Sequence, residues 1–81
     1  MSSAARMKIE VVVGLNLQRL RQARDMSQLA LSTESKVGQN YISNIENGKR
    51  SPSVGVLDKL AHALKAPVTE FFVAPSPRRR K

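Results

Sequence analysis

A chain of 81 residues without a cysteine has no covalent staple, and at this length it can build only one hydrophobic core. Packing alone must carry the fold. A structural zinc site is excluded as well, because thiolates are absent and only one histidine is present. Aromatic residues are 4% of the chain against 41% for all hydrophobic residues, so Leu, Ile, Val and Ala fill the core, which suits short packed helices better than a sheet. No apolar run approaches the roughly 18 residues of a membrane span, and the start MSSAARMK lacks the apolar stretch of a secretory signal. The expectation is a cytoplasmic protein. The formal charge of +8 points to a polyanion, either nucleic acid or an acidic membrane surface. Half of that charge sits in the terminal run Arg78, Arg79, Arg80 and Lys81.

Periodicity divides the chain into short helices. Val13, Leu17 and Leu20 recur at i, i+4 and i+7 with Gln18, Arg19, Arg21 and Gln22 on the other faces, which predicts a first amphipathic helix ending near Arg24 or Asp25. Ser27 can cap a second helix over residues 28–35, because its hydroxyl can accept a bond from an unpaired first-turn amide. Lys36, Val37 and Gly38 interrupt, a connection whose length sets two helices at a steep angle. A third helix follows over residues 39–47 and ends at Gly48. Pro52 and Ser53 open a fourth, with Val54, Leu57, Leu60, Ala61 and Leu64 as its core stripe. Residues 68–73 are too short for a long helix but carry Phe71 and Phe72, which predicts an element capping the core or serving an interface.

The third helix carries the chemistry. At about 100° per residue, Tyr41, Ile42 and Ile45 fall between about 200° and 300°, an apolar face that can dock on the core. Gln39, Asn40, Ser43, Asn44 and Asn47 occupy the opposite arc with uncharged donors and acceptors on short side chains. Asn and Gln amides can offer a donor and an acceptor together to adenine N6 and N7, whereas Lys and Arg suit phosphate and guanine. Gln28 at the start of the second helix and Lys49 and Arg50 after the third are placed to hold the sugar-phosphate backbone. On periodicity alone the same face reads equally well as solvated helix surface.

A longer pattern bears on that choice. Ser27-Gln28 through Leu31, Val37, the run from Tyr41 to Arg50, Pro52-Ser53, Leu57, Leu60-Ala61, Ala63-Leu64 and Glu70-Phe71-Phe72 together resemble the Cro and phage-repressor type of helix-turn-helix family, across residues 13–72. The resemblance implies an all-α, five-helix bundle of the lambda-repressor-like type, with one domain over residues 9–73. The ends at 1–8 and 74–81 are expected to be flexible, since Pro75 and Pro77 interrupt regular structure and the basic run from Arg78 repels itself. It implies a sequence-specific DNA-binding transcriptional regulator whose third helix enters the major groove of double-stranded operator DNA. Base reading then falls on Gln39, Asn40, Ser43 and Asn44, and phosphate contact on Gln28, Asn47, Lys49 and Arg50. A structural pair between Arg21 and Glu46 is implied too. The regulator is expected to bind a near-palindromic operator as a homodimer, with Phe71 and Phe72 the first interface residues to consider. The sequence departs from the pattern at Lys36, where the family usually has a turn glycine. It departs also at Gly38 for a Ser or Thr cap, at Ser32 for a core alanine, and at Leu29 for an acidic residue.

The remaining features add no catalytic site. His62 falls away from the core stripe of the fourth helix and has no nucleophile and orienting group around it, so an enzyme is not expected. No cofactor, metal or small-molecule ligand is implied. Two other readings use the same fold: a protein-interaction adaptor whose third helix reads no bases, and the antitoxin of a toxin-antitoxin pair. Membrane-surface binding is disfavoured, because the basic residues do not line one face opposite a large apolar face.

Overall fold

The computed structural model describes residues 7–74, and within them the chain forms four α-helices and a terminal 3-10 segment, with no strand. The helices are α1 (Ile9–Ala23), α2 (Gln28–Ser35), α3 (Gln39–Glu46) and α4 (Val54–Leu64). Where a fifth helix was expected, Val68–Phe72 makes a 3-10 segment instead. Five residues between Pro67 and the extended Val73 leave no length for a stable α-helix. The expected flexible ends lie outside the described residues, except Met7, Lys8 and Ala74.

Local chemistry explains most boundaries. The Ser27 hydroxyl accepts from the Ala30 amide at 2.9 Å and the Ser53 hydroxyl from the Val56 amide at 3.1 Å, each filling one of the bonds that a helix start leaves open. The helix ends share one device, a residue in the left-handed region: Asp25 after α1, Lys36 after α2, Gly48 after α3 and Lys65 after α4. After α3, Gly48 N–H donates to Ile45 O and Lys49 N–H to Asn44 O, the paired bonds that turn a chain sharply out of a helix.

α1 packs against α3 and the 3-10 segment, while α2 packs against α3 and α4. Leu17, Leu31, Ile42, Ile45, Leu60 and Phe71 are fully enclosed, so each helix contributes to one core. Sealing a side chain of this size from water stabilises the fold by about 1.5–3 kcal/mol. Phe71 is therefore a core residue without surface to offer a partner. Its neighbour Phe72 is 45% exposed beside Ile9 and Pro52. Val54, placed on the core stripe by spacing, is 82% exposed because it stands in the first turn, before α4 reaches the core.

Two features of α1 position its neighbours, α3 and the 3-10 segment. Gly14 is buried, and a Cβ there would collide with Ile45 O and stand 2.9 Å from Glu46 O, so only glycine admits the backbone approach. Asn16 is buried too, and its amide donates to Phe71 O and Val73 O, both at 2.8 Å, which binds the C-terminal segment to α1. Arg19 completes the tie by donating to Asn16 Oδ1 and pairing with Glu70 at 3.1 Å.

Candidate nucleic-acid interface

The face of α3 opposite Ile42 and Ile45 is polar and open. Gln39 and Asn40 are exposed, and Ser43 and Asn44 are half-buried. Among the described residues, no side-chain hydrogen bond engages any of these four. Their amides and hydroxyl are free to pair with an outside partner, which for Asn and Gln includes the donor-acceptor edge of adenine. Asn47 is the C-cap of α3 and is exposed, and Lys49 and Arg50 are exposed in the loop that follows.

The scaffold grips the far end of this helix. Arg21 donates from Nε to Glu46 Oε2 at 2.7 Å and from Nη2 to Oε1 at 3.1 Å, a two-pronged pair with side chains 11% and 3% exposed. Its third donor, Nη1, reaches Met26 O at 2.7 Å. Hydrogen bonding to Glu46 raises the Arg21 pKa above the ordinary arginine value, against the opposing effect of burial, and the carboxylate charge adds to the rise. Gln28 joins the cluster by donating from Nε2 to Glu46 Oε1 at 3.0 Å. Half of the Gln28 amide thus braces α3, while its oxygen and second proton remain for an outside group.

The turn between α2 and α3 takes the left-handed backbone that its length demands, with Lys36 at φ 66° in place of a glycine. Ser32 and Ser35 stiffen it. Ser32 Oγ donates to Val37 O at 2.7 Å and Ser35 Oγ accepts from Val37 N–H at 3.2 Å, so the serine at 32 has a task that an alanine could not perform. Gly38 caps α3 without any side-chain bond. Leu29 is 61% exposed, and nothing in the structure explains an apolar residue there. His62 is exposed on α4 and lies 3.6 Å from Asp58.

Three participants were not read from the sequence. Gly14 carried a signal, because a glycine inside a helix costs about 1 kcal/mol and calls for a reason such as close packing. Asn16 carried a weaker one, as a polar residue between Val13 and Leu17 on the buried side. Tyr41 was placed on the apolar face, but its ring also lies under Arg50, whose guanidinium carbon is 4.5 Å from the ring centroid.

A short helix with an open polar face, joined to the preceding helix by a three-residue turn and tied by its C-terminal end to the first helix, defines a helix-turn-helix domain. The helix-turn-helix family model matches residues 17–71, and the chain belongs to that family. It is 38% identical over 58 residues to the uncharacterized HTH-type transcriptional regulator y4dJ of Sinorhizobium fredii, covering 72% of this chain and 75% of that one. It is 34% identical over 65 residues to control protein C.MunI of a Mycoplasma species, covering 79% and 88%. Among solved structures, the restriction-modification controller protein C.AhdI from Aeromonas hydrophila superposes with a TM-score of 0.75 at 35% identity, over 78% of this chain and 96% of that one.

Proposed function

We propose that this chain is a DNA-binding transcriptional regulator, not an enzyme, that binds a near-palindromic operator as a homodimer and acts in the cytoplasm as a controller or repressor. The observation that carries the reading is the set of unengaged amides and hydroxyl on Gln39, Asn40, Ser43 and Asn44, held on a helix whose other end is locked by Arg21 and Glu46. Each subunit sets α3 in a major groove, and two subunits reach successive grooves about 34 Å apart. Asn47, Lys49 and Arg50, with the free part of Gln28, hold phosphates and fix the register. No helix among the described residues is long and apolar enough to cross a membrane.

The family and the relatives' names favour a regulator over an adaptor, and two of those relatives are named as control proteins of the kind the proposal describes. The dimer surface falls on Phe72 with Ile9 and Val73, all exposed and apolar on the side where α1 meets the 3-10 segment. Selection of duplexes from a random pool at physiological salt tests the reading. An enriched sequence with two-fold symmetry is the expected result, and equal binding of selected and random duplexes would rule it out. Sedimentation of Phe72→Ser at matched stability then tests the surface, with a shift toward monomer expected.

A further inference from the structure

The loop after α3 turns back on the helix it leaves. Gly48 takes φ 73° and Lys49 N–H returns to Asn44 O, so the chain reverses within two residues and brings Arg50 over Tyr41. Among the described residues Arg50 forms no salt bridge, and its exposed guanidinium has the ring as its neighbour. Tyr41 is half-buried, and around the helix it stands about 60° from Asn44. The cation therefore rests at the rim of the reading face.

We propose that Tyr41 is a positioning residue for phosphate binding, its ring the shelf that holds the Arg50 guanidinium beside the reading face before DNA arrives. The inference rests on the function proposed above. A solvent-exposed arginine samples many rotamers, and fixing one of them on binding opposes association. A ring at cation–π distance removes part of that freedom in the free protein and leaves the N–H donors available at the edge of the guanidinium. A leucine at position 41 could fill the half-buried space equally well but would offer no ring face. A lysine at position 50 would be more strongly hydrated and would lack the planar fork that matches a phosphate. Because the contact is to backbone, Tyr41 strengthens binding to every sequence by the same factor.

The test compares wild type, Tyr41→Phe, Tyr41→Leu, Arg50→Ala and the Tyr41→Leu/Arg50→Ala double variant, titrated by anisotropy against a labelled mixed-sequence DNA duplex across a range of salt. Tyr41→Phe keeps the ring and binds as wild type. Tyr41→Leu binds about two- to fivefold more weakly, the size of an exposed cation–π contact. The double variant binds no more weakly than Arg50→Ala alone. Arg50→Ala lowers the salt slope by about one, while Tyr41→Leu leaves it unchanged because the cation remains. In the free protein, the Arg50 side-chain protons show an upfield ring-current shift in wild type and Tyr41→Phe that Tyr41→Leu lacks. Additive losses in the double variant, wild-type binding by Tyr41→Leu, or no ring-current shift would each overturn the positioning role while leaving the proposed function intact. A wild-type chain that binds no duplex overturns both.

Discussion

Arg21 and Glu46 meet through two hydrogen bonds, at 2.7 and 3.1 Å, across the junction of α1 and α3, with the carboxylate almost wholly enclosed. The pair joins α1, which helps build the core, to the C-terminal end of α3, the proposed reading helix. Removing one partner strands the other: Glu46→Ala leaves a guanidinium 11% exposed with only Met26 O to accept from it, and Gln28 also loses its acceptor. Unfolding by urea should show a loss of about 3 kcal/mol for Glu46→Ala. A smaller loss for Arg21→Met combined with Glu46→Leu would show that the pair specifies geometry more than it adds stability. Equal losses in both would contradict that division.

Gly14→Ala pushes a methyl group against the carbonyls of Ile45 and Glu46, which are backbone and cannot swing away. The expected cost is about 1–3 kcal/mol, as for other overpacked sites. DNA affinity should fall further than the stability loss predicts, because the displaced atoms belong to α3. Parallel denaturation and binding curves would separate the two, and unchanged binding in a destabilised variant would place the strain elsewhere.

Asn16→Ala removes both donors to Phe71 O and Val73 O. Leaving those carbonyls unpaired should cost about 1–3 kcal/mol. Hydrogen exchange should speed up first in residues 68–73, since that segment loses its two Asn16 bonds to α1 and keeps the exposed Arg19–Glu70 contact. Uniform acceleration across all helices would instead make Asn16 an ordinary core residue.

The α2–α3 turn contains two choices that can be improved. Lys36→Gly relieves a left-handed backbone, and the gain is partly offset by a more flexible unfolded chain. Gly38→Ser adds a capping hydroxyl where nothing lies within 4 Å of a new Cβ. Together they should raise stability by about 1 kcal/mol, a Tm increase of about 4–8 °C for a domain of this size. A fall in Tm by calorimetry would mean that the turn relies on the Lys36 side chain.

At the proposed reading face, Asn44→Ala or Gln39→Ala should cost about 1–3 kcal/mol on the selected operator and relax the preference at one base position. Arg50→Ala should weaken all duplexes alike. The opposite pattern in a competition assay would move base reading away from α3.

Three helices were legible because their signals are local: serine caps at Ser27 and Ser53, Gly48 after α3, and apolar spacing through Ile42, Ile45, Leu57, Leu60 and Leu64. The start of α1 at Ile9, four residues before the expected Val13, was hidden by the β-branched run Val11-Val12-Val13, which tertiary packing holds in a helix despite weak propensity. The left-handed ends at Asp25 and Lys65 carry no glycine and so gave no sign in the sequence. Asn16, Gly14 and Tyr41 act through residues distant in the chain or across a loop, and a single sequence does not record such contacts.

The contact at Gly14 fixes α3 through main-chain atoms that every amino acid shares, not through the side chains proposed to face the groove. In the proposed reading, docking pose and base preference are therefore separable properties. New residues at positions 39, 40, 43 and 44 can be grafted onto the same frame, so divergence in target sequence requires no redesign of the domain that presents it.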